Sequence, residues 1–173
     1  VLLPVWIVIW VMVPFFIWFE DRGPIFFKQS RCGLYGKPFI LLKFRTMTSK
    51  PCGDSSHWTE EANQRITKVG KLLRKTAIDE VPGLISIWKG DMTLVGPRAL
   101  SVEEQDYLQR KVPRFEERLK VVPGLTGLAQ VYDRLDIADD KLRYDLDYIE
   151  RMNGALDLFL LTVSVKNTCL GKW

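Results

Sequence analysis

Histidine and cysteine are nearly missing: the 173 residues contain one His and three Cys. That scarcity excludes a zinc ribbon and a disulfide scaffold, both of which need clustered ligands or paired thiols. Cys32, Cys52 and Cys169 show no metal-type spacing and read as unpaired thiols of a reducing compartment. The single His57 sits in a polar stretch, Asp54-Ser55-Ser56-His57, which offers little to a His-based nucleophile system. No internal repeat is visible, and the length leaves no room for two independent catalytic cores. Charge is absent from a whole segment, because Val1 to Phe19 carries no Asp, Glu, Lys or Arg.

The rest of the composition is that of a folded domain. Hydrophobic residues make up 47% and charged residues 27%, with a formal net charge of +4. The pI is near 9.0. The bases are dispersed rather than clustered, so a nucleic-acid-binding module is not expected.

As one helix the uncharged run would measure roughly 28 Å, close to the hydrocarbon thickness of a bilayer. A secretory signal is a poor match, since there is neither a basic n-region nor a small-residue cleavage site. Pro4 and Pro14 fall inside the run, and each removes a backbone donor. At membrane depth such breaks survive only where the freed groups find partners. A broken helix that enters and leaves on the same face is therefore favoured over one kinked transmembrane helix. Lys28, Arg31, Lys37, Lys43 and Arg45 follow the run and place what comes after it in the cytoplasm. The chain opens on Val1 with no basic residue ahead of the run, as expected for a fragment of a longer protein.

Pro24–Phe27 and Pro38–Phe44 read as a β-hairpin around Gly33-Leu34-Tyr35-Gly36, and Thr48–Asn63 as a loop. Arg65–Lys75 has helical periodicity, with a basic face that is either solvated or laid on anionic headgroups. Helices are expected at Val102–Lys111, Arg114–Lys120 and Lys141–Met152, and a packed or interfacial one at Ala155–Val165. The fold class is α+β, mainly helical: residues 1–22 as the membrane helix, residues 23–173 as one cytoplasmic catalytic domain with a small hairpin.

Chemistry concentrates between Arg74 and Arg98. Asp79 and Glu80 stand ahead of Val81-Pro82-Gly83-Leu84-Ile85-Ser86-Ile87-Trp88, where Asp79 suits an N-cap, Glu80 a first-turn acid and Gly90 a helix stop. Capping alone would explain the pair. Arg74, Lys75, Lys89 and Arg98 add cations, and the Gly96-Pro97 turn that sets Arg98 suits bidentate phosphate recognition. A helix start at Asp79 would add backbone donors. Phosphates and two carboxylates repel unless a cation lies between them, and Mg²⁺ binds through one or two carboxylates plus substrate phosphates. Pro123-Gly124-Leu125-Thr126-Gly127-Leu128-Ala129-Gln130 is either a loop that approaches a nucleotide or sugar closely, or an ordinary turn.

Five segments occur in order: Lys43-Phe44-Arg45-Thr46-Met47, Gly70-Lys71-Leu72-Leu73-Arg74, Asp79-Glu80, Lys89 to Arg98, and Pro123 to Gln130. Together they resemble the bacterial sugar transferase family, the monotopic phosphoglycosyl transferases that start glycan assembly on a polyprenol carrier. The resemblance runs from the apolar segment to Asn167.

It implies a re-entrant helix in the cytoplasmic leaflet of the bacterial inner membrane. It also implies transfer of a sugar phosphate from a UDP-sugar to polyprenyl (undecaprenyl) phosphate, with release of UMP and a requirement for Mg²⁺. Asp79 would be the nucleophile that forms a covalent phosphosugar intermediate. Glu80 would be a metal ligand or helper in the second step, with Asp79 and Glu80 together as the metal site. Lys43, Arg74 and Arg98 would hold phosphate charge, and Pro123, Gly124, Thr126, Gly127 and Gln130 would lie near the site. Downstream glycosyltransferases are implied partners. A catalytically silent scaffold that recruits them is the rival reading. The chain departs from the family pattern at Ala99, where many members have Pro, and at Gly83 and Ser86, where Gln and Asn are frequent. Its apolar run before Gly23 is also longer than usual, which leaves the break at either Pro4 or Pro14.

Overall fold

The computed structural model describes residues 3–48, 65–132 and 137–170. Cys52, His57 and nearly all of the expected Thr48–Asn63 loop lie outside them. The chain divides into two compact units, one of residues 1–27 and 42–82, the other of residues 28–41 and 83–173.

The first unit begins with α1, Leu3–Asp21, a continuous helix with Pro14 inside it. Arg22, at φ 43°, ends it, and its guanidinium lies 5.2 Å from the Trp18 ring centroid. One face of α1 is packed: Ile9, Trp10, Val13 and Ile17 join Phe44, Leu73, Ile78 and Val81 in a single apolar cluster. Trp10 meets Phe44 edge-on at 5.7 Å and Phe26 stacks on Phe44 at 5.6 Å, geometries that the ring quadrupoles favour. The other face is bare, with Ile7, Val8, Val11, Met12, Phe15, Phe16, Trp18 and Phe19 all exposed. Among the described residues no helix is long and apolar enough to cross a membrane.

Strands β1 (Phe26–Cys32) and β2 (Pro38–Phe44) form the expected hairpin around a 3₁₀ turn at Leu34–Gly36. β1 starts later and runs further than the apolar residues suggested, because Pro24 cannot donate to a ladder whereas Lys28–Cys32 can. Helix α2 spans Lys68–Lys75 rather than starting at Arg65. Ile66 is held in a bridge to Met47, and Thr67 caps the helix by accepting from the Gly70 amide. Glu20, at the end of α1, also caps it, accepting from the Lys68 and Val69 amides at 2.7 and 3.0 Å. Gly70 permits close seating of α2, since a Cβ there would lie 2.1 Å from the Thr46 carbonyl oxygen.

In the second unit α3 (Leu84–Trp88) ends at Gly90, whose φ of 84° makes it the expected stop. Strand β3 (Thr93–Val95) pairs in parallel with β4 (Gly124–Thr126), in register Thr93↔Gly124 and Val95↔Thr126. Between them α4 (Val102–Lys111) starts at Ser101, which accepts from the Glu104 amide. Phe115–Lys120 is a 3₁₀ turn rather than an α-helix, because Arg114 enters it at φ 65°. Then come α5 (Leu128–Tyr132), α6 (Ala138–Arg151) and α7 (Gly154–Cys169), the last capped by Asn153. Val95, Tyr148 and Leu160 form one buried cluster, and Leu100, Val112, Phe115 and Leu142 another.

The β3–β4 pair depends on glycine. A Cβ on Gly124 would lie 2.1 Å from the Gly96 backbone nitrogen, where nothing can give way but the main chain. Gly124→Ala is expected to cost about 2–3 kcal/mol through overpacking. For a domain of this size that lowers Tm by about 4–12 °C, as thermal melts in detergent will show.

Candidate active site

Asp79 and Glu80 are presented by a strained connection. After α2 the chain reverses at Ala77, a non-glycine residue at φ 52°, and enters a 3₁₀ turn over Ile78–Gly83. Such a residue costs of order 1–2 kcal/mol and persists where the surroundings fix it. Residues i and i+3 eclipse in a 3₁₀ turn, so Ile78 and Val81 share one face and pack into the apolar cluster. Asp79 and Glu80 stand off that face. Ala77→Val adds β-branching where the left-handed conformation tolerates it least, and is expected to destabilise by more than about 1 kcal/mol. Chemical unfolding of the two proteins side by side measures it.

This geometry corrects the expected α-helix from Asp79 to Trp88. Asp79 lies inside the 3₁₀ turn and is not an N-cap; the α-helix starts only at Leu84, preceded by Gly83 without a side-chain cap. Pro82 lacks the N–H that a continuous helix needs, and the reversal at Ala77 tightens the turn. The helix start expected at Asp79 is therefore not there, and the charges beside Asp79 are side chains.

Those side chains converge in the first unit. Lys43, on β2, places Nζ 2.5 Å from Glu80 Oε1. Arg74, an exposed residue, donates its Nε to Thr46 Oγ1 at 2.9 Å, which fixes the guanidinium. Asp79 is only 9% exposed. Burial pushes its carboxyl above the usual range and the neighbouring Glu80 charge pushes it further, against the opposing pull of Lys43 and Arg74. A buried carboxylate stripped of water is a stronger nucleophile than a solvated one, and a raised pKa in such a setting marks a functional candidate.

Two adjacent carboxylates also present hard oxygen donors that fit a divalent cation, which would relieve the Asp79–Glu80 repulsion. Among the described residues there is no group of three or more His, Cys, Asp or Glu able to hold a metal. Substrate phosphate oxygens would have to complete the shell, as is usual for Mg²⁺.

Arg98 and the segment Pro123–Gln130 belong to the second unit. Arg98 pairs with Gly124 in a parallel bridge at the end of β3–β4. Gly124, Leu125 and Thr126 are strand, and Gln130 lies in α5, so the expected loop is a strand–turn–helix. Thr126 Oγ1 and Ser164 Oγ share a hydrogen bond at 2.5 Å, so that hydroxyl is taken. Gln130 donates to the Leu125 carbonyl at 3.3 Å, while its buried Oε1 has no partner.

Residues 1–171 match the family model described as bacterial sugar transferase. The chain belongs to the bacterial sugar transferases. It is 41% identical over 151 residues to the uncharacterized sugar transferase EpsL of Bacillus subtilis, covering 87% of this chain and 72% of that one. It is 37% identical over 152 residues to the UDP-glucose:undecaprenyl-phosphate glucose-1-phosphate transferase of Caulobacter vibrioides, covering 84% of this chain and 57% of the relative. A UDP-N-acetylgalactosamine-undecaprenyl-phosphate N-acetylgalactosaminephosphotransferase of Aeromonas hydrophila is 33% identical over 156 residues, 88% of this chain and 37% of the relative. The chain thus spans little more than half of the Caulobacter protein and about a third of the Aeromonas one.

Within this sugar transferase, sequence reasoning missed three features. Thr46, inside a quoted motif, orients Arg74; Ala77 makes the reversal; and Arg118 and Asp145, both 1% exposed in their side chains, form an ion pair at 2.7 Å. Arg118 and Asp145 lie among other charges on helical segments, where a buried pair carries no distinguishing pattern.

Proposed function

We propose that the protein transfers a sugar 1-phosphate from a UDP-sugar to polyprenyl (undecaprenyl) phosphate, releasing UMP, through a covalent intermediate on Asp79. The observation that carries this reading is the buried Asp79 carboxylate with Glu80, Lys43 and Arg74 around it. Family membership supports the reaction class.

In the first displacement an Asp79 oxygen attacks the β-phosphorus of the donor. The bond from that phosphorus to the bridging oxygen breaks, and UMP leaves with the electron pair. In the second, a phosphate oxygen of the lipid attacks the same phosphorus and expels the Asp79 carboxylate, giving polyprenyl diphosphate-sugar. Splitting the transfer this way lets one buried nucleophile serve two large substrates in turn. Arg74 holds phosphate charge and Lys43 orients Glu80; the family resemblance assigns Arg98 a phosphate as well. Asp79 and Glu80 would hold Mg²⁺ together with substrate phosphates, and the ion would supply charge neutralisation where an anion meets an anion.

The acceptor is a lipid, so the site belongs at a membrane. The bare apolar face of α1 exceeds what a water-exposed surface ordinarily carries and suits insertion into the cytoplasmic leaflet of the inner membrane. In this reading the helix enters and leaves on one face of the membrane, with the break at Pro4 or Pro14, the two prolines of the apolar run. The product would feed the glycosyltransferases that extend the glycan.

The test is incubation with UDP-glucose and no lipid acceptor, followed by mass spectrometry of the Thr76–Lys89 tryptic peptide. A hexose-phosphate adduct on Asp79 is expected. An adduct elsewhere, or UMP release across a panel of UDP-sugars without one, sinks the covalent step; no UMP release from any donor favours the silent scaffold. With EDTA present, turnover of the active protein is expected to stop, and excess Mg²⁺ to restore it.

A further inference from the structure

We propose that Arg118 is a positioning residue for Arg98, fixing the main chain that carries a phosphate-binding guanidinium. The proposal rests on Arg98 serving as a pyrophosphate ligand.

Arg118 is 1% exposed, and its guanidinium is used in three directions. Nε donates to Asp145 Oδ2 on α6 at 2.7 Å, Nη1 to Gln105 Oε1 on α4 at 3.1 Å, and Nη2 to the Arg98 carbonyl at 2.7 Å. The Phe115 ring lies 5.3 Å away and packs against the same group. A buried ion pair is weak evidence for stability, because apolar residues of similar volume often do as well. An apolar residue could not give a donor to the Arg98 carbonyl.

The neighbouring peptides are held in the same way. The Pro97 carbonyl accepts from the Gly124 amide at 2.9 Å, the Ala99 carbonyl from Arg31 Nη1 at 2.7 Å and the Leu100 carbonyl from the Cys32 amide at 2.9 Å. Four consecutive carbonyls, residues 97 to 100, are thus taken, and the peptides on both sides of the Arg98 Cα are fixed. Among the described residues no hydrogen bond or ion pair engages the Arg98 guanidinium, and the residue is half-buried. A fixed base with an unpaired head lowers the ordering cost of binding phosphate.

Lysine at 118 keeps the charge for Asp145 but gives up the planar fork that reaches three acceptors. Arg118→Lys is expected to raise the UDP-glucose KM about tenfold in a UMP-release assay, with kcat within about twofold of wild type. UDP affinity by calorimetry is expected to fall about tenfold too. In an Arg98→Ala background, Arg118→Lys should weaken UDP less than twofold further, because its effect passes through Arg98. Equal weakening in both backgrounds, or a fall in kcat at constant KM, overturns the proposal. If Arg98→Ala binds no measurable UDP, the KM and kcat of the single variant decide. If Arg118→Lys does not fold, as circular dichroism will show, Asp145→Asn replaces it: a KM rise of two- to fivefold that vanishes without Arg98 is expected, and an unchanged KM overturns the proposal. Wild type that turns over no UDP-sugar and binds no UDP would instead remove the phosphate-site reading itself.

Discussion

Asp79→Asn is expected to reduce UMP release by at least about a thousand-fold, because the amide cannot attack phosphorus. The same substitution is expected to make the metal-free protein at least as stable as wild type near pH 7. The two effects share one cause. Burial and the Glu80 charge raise the Asp79 pKa in the folded state above its unfolded value. Stability linked to such a group is fully present below the unfolded pKa, about 3.9, and is lost as pH rises through the folded value. At neutral pH the titratable Asp79 carboxyl is therefore a burden on the fold, and a neutral isostere removes it. Melts of both proteins in EDTA from pH 4 to pH 8 should converge at the acid end and separate toward the alkaline end in favour of the variant. Wild type that is more stable than Asp79→Asn at pH 8 would contradict this account of the site. Loss of turnover with a parallel loss of stability would mean that Asp79 is structural.

The elements with a local signal were legible in the sequence. The turn residues Gly33 to Gly36 marked the hairpin, Gly90 marked a helix stop, and the apolar run marked α1. The residues of the candidate site were equally visible, since adjacent acids among bases are a statement about charge. What was not legible depends on partners far along the chain. Thr93–Val95 and Gly124–Thr126 are three residues each, too short for any periodicity, and become strands only by pairing across 30 residues. The strand character of Gly124 comes from needing no Cβ beside Gly96, which a single segment cannot announce. Asp79 as an N-cap was the reasonable local reading of Asp-Glu-Val-Pro, and the left-handed Ala77 overrode it. The basic residues of α2 divide in use as well: Arg74 is turned to Thr46, while Lys71 and Lys75 remain exposed.

Glu80 and Lys43 should move Asp79 in opposite directions while substitution of either slows the reaction. Their 2.5 Å pair, about one-fifth exposed or less on each side, sets the charge next to the Asp79 carboxyl. The negative charge of Glu80 raises the Asp79 pKa and the positive charge of Lys43 lowers it. In the metal-free protein Glu80→Gln is therefore expected to bring the Asp79 pKa down, and Lys43→Met to take it higher. The melting difference between each variant and its double with Asp79→Asn reads this directly. Relative to wild type, the penalty of ionised Asp79 at alkaline pH should shrink in Glu80→Gln and grow in Lys43→Met. Turnover does not follow the pKa. Glu80→Gln is expected to lose about a hundred-fold or more, the scale of a displaced acid–base or charge-bearing helper, and to need a higher Mg²⁺ concentration for half-maximal activity. Lys43→Met leaves Glu80 without its cation and is expected to lose activity even though Asp79 is more basic. Shifts of the same sign in both variants would mean that the pair acts on Asp79 through its backbone and not through charge.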